Sequence, residues 1–178
     1  MRVVILLLTG LGLVSCTATP RPRPVASAPW ALASLRNGSG EVVGLATLTE
    51  EAGRVRVLVE ATLPPGKHGI HLHEVGTCDP AAFTSAGGHH NPLGGRHGLE
   101  SPGGPHAGDL PNLDAGPVSP VRYEVVTDRV TLRDGPASLF DADGSALVIH
   151  AVEDDQRTDP AGNSGARLVC GVIKRAPR

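Results

Sequence analysis

The feature that most restricts the fold of this chain is a two-residue alternation of apolar side chains, which recurs in short segments from Trp30 onward. One clear example is RVRVLV at residues 54–59. Successive side chains of a β-strand point to opposite faces of a sheet, so this period predicts strands that are buried on one face. No long segment has the spacing of a helix.

Short strands separated by turns are predicted along the whole domain. Glycine and proline contribute 23 and 16 residues, and many of them lie at the breaks between apolar segments. This arrangement favours an all-β antiparallel sandwich or barrel with an aliphatic core, since aromatic residues make up only 2% of the chain. The strand candidates besides residues 42–47 and 54–59 are residues 70–74, 121–127, 129–132, 145–151 and 166–174.

The amino terminus has the features of an export signal. Arg2 precedes an apolar run over residues 3–14, which is too short to span a bilayer. The following LVSC, ending at Cys16, resembles the lipobox of bacterial lipoproteins, in which the cysteine is lipidated and becomes the first mature residue. Ordinary secretion with cleavage after Ala28 is the alternative, but that site lies far beyond the apolar run.

This interpretation divides the chain into a signal peptide, a proline-rich tether and one folded domain, at residues 1–15, 16–29 and 30–178. The lipid would attach the domain to a bacterial membrane, in the cell envelope or periplasm. It also explains the odd number of cysteines, which is 3. With Cys16 lipidated, Cys78 and Cys170 remain to form a disulfide, as cysteines outside the cytoplasm usually do.

The formal net charge of −2 leaves no basic excess to hold a phosphate backbone, and few aromatic side chains are present to stack on bases. We therefore expect no binding of nucleic acids. The lipid is the only contact with a membrane that the sequence predicts. The choice between a monomer and a homodimer stays open.

Histidines are concentrated in one part of the chain: seven of the eight lie between His68 and His106. Much of that interval belongs to a segment rich in glycine and proline, residues 76–117, and loops of such length without structure are usually functional or disordered. His71 and His73 lie two residues apart in a strand candidate. Their side chains therefore project from the same face and can reach one metal ion.

Two further sets of side chains could complete metal sites. Within the loop, three imidazoles and one carboxylate form a plausible closed zinc site, and they belong to His89, His97, His106 and Asp109. His150 ends an apolar strand candidate far along the chain and would tie the sheet to the loop.

Five motifs resemble those of the copper/zinc superoxide dismutases, in the same order and at matching spacings. They are GIHLHEVGTC, TSAGGHHNPLGGRHG, HAGDLPNL, ALVIHAVEDD and GNSGARLVCGVI. The resemblance extends over about residues 30–174 and implies a flattened, eight-stranded Greek-key barrel or sandwich with long metal-binding and electrostatic loops. It implies dismutation of superoxide to oxygen and hydrogen peroxide by a cycling copper ion beside a structural zinc ion, outside the cytoplasm.

The resemblance also assigns the ligands of the two ions. Those of copper would be His71, His73, His89 and His150. Those of zinc would be His89, His97, His106 and Asp109. His89 would therefore bridge the ions as an imidazolate. Both sets suit their metals, because copper needs an open side for redox chemistry whereas zinc accepts closed coordination.

Other roles are implied as well. Arg167 would bind the incoming superoxide anion, and Asp154 would accept hydrogen bonds from His71 and His97, which fixes the orientation of both rings. The disulfide would hold the start of the metal loop against the strand that carries Arg167. The segment before Arg167 is shorter than in the eukaryotic enzymes, and Ala161 stands where they have a threonine that lines the channel. We therefore expect the attraction of the anion to differ.

The neighbours His89 and His90 cannot both face one metal from an extended segment, because successive side chains point to opposite sides. Its distance of eight residues from His97 selects His89 as the ligand. In the family that the chain resembles the next position is commonly aromatic, so His90 is expected to replace an aromatic side chain. His68 matches a structural position whose side chain bonds the backbone.

Two other functions fit parts of this pattern. A lipoprotein that stores or delivers copper or zinc would use the same ligands, but it does not require an anion-binding arginine such as Arg167 beside an open position. A zinc hydrolase also uses His-x-His followed by an acid, but such sites usually lie on mixed α/β folds. Dismutation, with superoxide as the substrate, is the function we expect.

Overall fold

The computed structural model describes residues 30–176, in which ten strands are arranged mainly as one curled antiparallel sheet. The signal peptide, the lipidated Cys16 and the tether predicted for residues 1–29 lie outside the described residues. The strands are β1 (Trp30–Asn37), β2 (Val42–Glu51), β3 (Arg54–Ala61), β4 (Gly66–His68), β5 (Ile70–His73), β6 (Leu113–Ala115), β7 (Val121–Thr127), β8 (Ala146–His150), β9 (Arg167–Val172) and β10 (Lys174–Arg175).

The main sheet has eight strands, in the order β5-β8-β9-β1-β2-β3-β7, with β10 paired to β1 outside this path. The predicted all-β Greek-key architecture is confirmed. The only helical segment within residues 30–176 is a 3-10 turn, Thr84–Ala86. In the same part of the chain, no helix is both long and apolar enough to cross a membrane.

The two-residue period determines which face of each strand is buried. In β3, Val55, Val57 and Val59 are completely buried in an aliphatic core, whereas Arg56 points outward. Arg56 binds Glu124 of the neighbouring strand β7 at 2.6 Å. Burial of the valines on one face and ion pairs on the other therefore hold β3 in register.

The sequence prediction is wrong at residues 129–132, where it places a strand. Thr131 forms only a single bridge, with Ser138. The buried carboxylate of Glu50 accepts hydrogen bonds from the Thr131 hydroxyl and from the Leu132 backbone N–H, at 2.9 and 2.7 Å. A side chain thus takes the place that a neighbouring strand would have, and the segment does not join the sheet.

A second small sheet pairs β4 with β6 and escapes sequence analysis. Each strand has three residues, which is too short for a period to be recognised. This pair fixes one end of the long loop between β5 and β7. That loop, together with the segment between β8 and β9, carries most of the histidine-rich motifs.

Candidate metal centre

Strands β5 and β8 hold three histidines on a rigid, fully buried part of the sheet. His71 and His73 lie in β5, and His150 is the last residue of β8. The strands are antiparallel neighbours, with Ile70 opposite Ile149. The backbone N–H of His150 donates to Gly69 O at 2.8 Å, which brings the end of β8 to the beginning of β5.

One group of four imidazoles forms where the long loop meets these strands. Its members are His71, His73, His89 and His150. One ring nitrogen from each lies within 4.8 Å of the others, and all four residues are buried. The structure thus brings two residues of β5, one of β8 and one of the loop to a single point.

The outward nitrogen of each ring is held by a hydrogen-bond acceptor, which fixes the tautomer. His71 Nε2 donates to Asp154 at 2.6 Å, and His73 Nδ1 donates to Gly87 O at 3.1 Å. His89 Nδ1 lies 2.8 Å from Asp109 Oδ1, and His150 Nδ1 lies 3.3 Å from Gly165 O. Each ring therefore presents a bare nitrogen lone pair toward the centre of the group.

These inward nitrogens have no hydrogen-bond partner among the described residues. They are Nδ1 of His71 and Nε2 of His73, His89 and His150. Unpartnered polar atoms are costly in a protein interior, and four inward lone pairs at one point form the donor set of a cation site. Burial keeps the three rings other than that of His89 neutral: it lowers the pKa of His71 to about 4, that of His150 to about 3, and that of His73 well below its ordinary value. Neutral imidazoles fit a copper ion.

A second group adjoins the first and shares His89. It consists of His89, His97, His106 and Asp109, all buried. Asp109 Oδ1 lies 2.8, 3.1 and 3.5 Å from Nδ1 of His89, His97 and His106 respectively. Three imidazoles around one carboxylate oxygen are the donor set of a closed zinc site.

Asp109 is held from several sides. Its second oxygen, Oδ2, accepts backbone N–H groups of Gly98 and His106 at 2.8 and 2.9 Å. Burial alone would raise the pKa of this carboxyl, but hydrogen bonds from His89, His97 and Gly98 lower it far below the ordinary value. Asp109 is therefore anionic, as a zinc ligand must be.

Asp154 connects the two groups. One carboxylate oxygen accepts from His71 Nε2 at 2.6 Å, and the other lies 3.0 Å from His97 Nε2. The backbone of Asp154 is held in turn by Asn112, whose side-chain amide accepts from the Asp154 N–H and donates to the Asp154 carbonyl, each at 2.8 Å. One buried carboxylate therefore orients one histidine of each group.

Arg167 stands at the first group, at the beginning of β9. Its Nη1 and Nη2 donate to the carbonyls of Phe83 and Gly87, both at 2.6 Å. Gly87 O also accepts from His73, so one carbonyl fixes both the arginine and a histidine of the group. The side chain is half-buried, and its positive charge contributes to the low pKa values of His73 and His150.

The disulfide between Cys78 and Cys170 is present in the structure. Cys170 lies in β9, three residues after Arg167, and Cys78 lies in the loop that contains Phe83 and Gly87. Loop and strand are thus joined covalently next to the point where Arg167 binds the loop carbonyls. This is the arrangement expected from the sequence.

His90 and His68 belong to neither metal group. His90 is buried, and its Nε2 has no hydrogen-bond partner among the described residues. His68 is buried as well, with Nδ1 2.7 Å from His150 O and Nε2 2.9 Å from Pro64 O. His68 is therefore bonded to backbone, as the sequence predicts, and His90 lies outside both groups although its neighbour His89 belongs to both.

Asn112 and Gly162 fix the position of Asp154, but neither residue is indicated by any sequence pattern. Asn112 lies within the HAGDLPNL motif, but nothing in its spacing indicates a bond to Asp154. Gly162 is also essential to the site geometry, because a Cβ atom there would collide with Asp154 Oδ1 and lie 2.7 Å from His97 Nε2. Its φ of +60° is a second reason for glycine. The position of Gly162 two residues after a proline does not indicate in the sequence that a side chain there would collide with Asp154.

The segment between His150 and Arg167 contributes one basic side chain, and that side chain is paired. Arg157, the only basic residue between His150 and Arg167, donates from Nε to Glu100 at 2.8 Å. The carboxylate of Asp155 accepts the backbone N–H groups of Arg157 and Thr158 and so fixes the turn between β8 and β9. In this segment the positive charge available to an incoming anion is that of Arg167.

Comparison with known proteins gives one consistent result. The family model described as "Copper/zinc superoxide dismutase (SODC)" matches residues 42–173. The chain is 47% identical over 145 residues to copper-zinc superoxide dismutase 1 of Aquifex aeolicus, covering 80% of this chain and 86% of that relative. It is 41% identical over 148 residues to the copper-zinc superoxide dismutase of Caulobacter vibrioides, covering 81% and 85%.

Solved structures agree. A superoxide dismutase-like protein from Bacillus subtilis superposes with a TM-score of 0.74 at 38% identity, covering 80% of this chain and 97% of that one. The family model alone matches well over half of the chain. On its sequence, its fold and its two histidine groups, the chain belongs to the copper/zinc superoxide dismutase family.

Proposed function

We propose that this chain converts superoxide to oxygen and hydrogen peroxide in the bacterial cell envelope, with copper in the first group and zinc in the second. Copper and zinc are the cofactors of the family. The observation that carries the proposal is the convergence of four buried, unpartnered imidazole nitrogens beside a fixed arginine. A site that only stores metal has no need of a guanidinium held beside it by two carbonyls.

The atoms that would bind each metal follow from the geometry of the two groups. Copper would be held by Nδ1 of His71 and Nε2 of His73, His89 and His150. Zinc would be held by Nδ1 of His89, His97 and His106 and by Oδ1 of Asp109. His89 presents one nitrogen to each group and would bridge the ions as an imidazolate. A copper ion bound there would exchange one electron with each of two superoxide anions, giving oxygen from one and peroxide from the other.

The chain's own residues supply binding, orientation and a proton site. Arg167 pairs with the anion, since two of its N–H groups are already fixed by the Phe83 and Gly87 carbonyls and its charge stays in place. Asp154 holds His71 and His97 in the orientation that directs their free nitrogens inward. Nε2 of His89 is the atom at which a proton can be held for delivery to the second anion.

The location outside the cytoplasm and the lipid anchor at Cys16 are part of this proposal. The disulfide supports it, because such bonds persist in oxidising compartments. Metabolic labelling with a fatty acid should mark the wild-type chain and not the Cys16→Ser variant, which should also lose its attachment to membranes. Sedimentation of the purified protein decides between the monomer and the homodimer that the sequence leaves open.

The enzymatic proposal is tested by loading the purified chain with both metals and assaying superoxide consumption. We expect Arg167→Ala to keep both metals and to lower kcat/KM by roughly 10- to 1000-fold, the range of electrostatic steering. Arg122→Ala is the matched control, because Arg122 lies on the outer face and pairs with Glu60 at 3.3 Å. A fully loaded wild-type chain that does not consume superoxide would refute the proposal.

A further inference from the structure

The turn that carries Asp109 is held from outside by side chains that belong to neither metal group. Three consecutive carbonyl oxygens each accept one donor. Arg129 Nη2 donates to Asp109 O at 2.5 Å, Gln156 Nε2 to Leu110 O at 3.3 Å, and Tyr123 Oη to Pro111 O at 2.8 Å. The backbone that positions the single carboxylate of the zinc group is therefore fixed by a set of distant residues.

Asp109 lies between the two edges of the curled sheet. The edge strands are β5 and β7. On one side Asp109 forms an isolated backbone bridge with His71 of β5. On the other side it is bound by Arg129, which follows the last residue of β7, Thr127, by two positions. Asp109 thus spans a gap in the sheet, and Arg129 is its connection to the β7 edge.

The Arg129 side chain loses part of its hydration at this position, and that loss must be offset by hydrogen bonds. It is half-buried, and its Nε atom is buried without a hydrogen-bond partner among the described residues. Its backbone N–H is held by the Thr127 side chain at 3.2 Å, which begins the turn directly after β7. A partly desolvated guanidinium is retained only where its remaining donors make strong bonds, and here one such bond is to Asp109 O.

We propose that Arg129 is a positioning residue for the zinc group: it holds the backbone of Asp109 so that Oδ1 points at His89, His97 and His106. The inference rests on the assignment of zinc to that group. It concerns zinc first, because the inward nitrogens of His71, His73 and His150 are positioned by other partners and only His89 is shared with the copper group.

The test uses the full chain, stripped of metal, and the variants Arg129→Met and Arg129→Lys. Zinc affinity is measured by chelator competition, and cobalt(II) is titrated into the same group so that its visible absorption reports ligand geometry. Arg129→Met should weaken zinc and cobalt binding by about 10- to 100-fold, as loss of an outer partner of a metal ligand commonly does. The cobalt spectrum should shift, and copper affinity should fall less than zinc affinity, because His89 is the only copper-group residue that Asp109 Oδ1 contacts.

Arg129→Lys should recover part of the affinity, because an ammonium group can still donate to the carbonyl. Arg129→Lys also keeps the proposal testable should Arg129→Met fail to fold, since it should bind zinc more weakly than the wild type. Tyr123→Phe removes only the bond to Pro111 O, so it should lower zinc affinity less than Arg129→Met. Arg122→Met, on the exposed face of β7, is the matched control and should bind zinc like the wild type. Thermal unfolding of each metal-free variant separates a general loss of stability from a change at the zinc group.

Three outcomes would overturn the inference, and they are distinguishable. A wild-type chain that binds neither zinc nor cobalt would refute the zinc group itself. Wild-type affinity and an unchanged cobalt spectrum in Arg129→Met would refute only the role of Arg129. A loss in Arg122→Met as large as in Arg129→Met would also refute that role, because it would show that removing any β7 arginine weakens the site.

Discussion

The carboxylate of Asp154 lies 2.6 Å from Nε2 of His71, and both side chains are fully buried. The other oxygen of the same carboxylate lies 3.0 Å from Nε2 of His97. Burial alone would raise the pKa of Asp154, but hydrogen bonds from both rings lower it far below the ordinary value. One anion therefore fixes a candidate copper ligand and a candidate zinc ligand together.

Asp154→Asn should weaken both sites. An amide offers one acceptor and one donor, so one of the two histidine N–H groups would face another donor. We expect about 10- to 100-fold lower affinity for zinc, with a smaller loss for copper, measured by chelator competition. Glu153→Gln is the control, since Glu153 is exposed and reaches only Lys67, at 3.6 Å. Unchanged affinities in Asp154→Asn would contradict a coupling role.

Gly162→Ala should damage the same carboxylate by a steric route. The added Cβ would overlap Asp154 Oδ1, and φ at this position is +60°. Gly94→Ala has nearly the same strain, with φ of +68°, but its Cβ would meet nothing within 4 Å. Both variants should lose roughly 1 kcal/mol of stability from the backbone. Only Gly162→Ala should also lose zinc, and equal zinc retention in the two would count against the collision.

The neighbours His89 and His90 give a contrasting pair. His89→Ala should disturb both metals, because the side chain belongs to both groups. His90→Phe should leave both bound and stabilise the fold slightly, since it removes a buried ring nitrogen that has no partner among the described residues. Metal content per chain and thermal unfolding provide the measurements. Loss of copper from His90→Phe would reverse the assignment of the two rings.

Much of this centre could be predicted from sequence because its ligands lie on elements with a recognisable period or in dense motifs. His71 and His73 share a face of β5 by the simple alternation of a strand. What could not be predicted are contacts made across the closed sheet, such as Arg129 to Asp109, which are 20 residues apart. Such contacts depend on how the sheet curls, and the wrongly predicted strand at residues 129–132 obscured this one.

The pH dependence of zinc binding follows from His97. Burial disfavours its charged form, but hydrogen bonds to Asp109 and Asp154 outweigh burial and raise its pKa to about 9. Because both ring nitrogens face carboxylate oxygens, the metal-free ring carries two protons at pH 7, and zinc must displace the one on Nδ1.

Apparent zinc affinity should therefore rise with pH, by about tenfold per unit as far as His97 alone is concerned, and this contribution should level off above pH 9. The copper group should differ, since the pKa values of His71 and His150 are lowered to about 4 and about 3, so that their inward nitrogens carry no proton at pH 7. Calorimetry in buffers of different ionisation enthalpy counts the protons released. Zinc binding at pH 7 that releases no proton would show that His97 is neutral before the metal arrives.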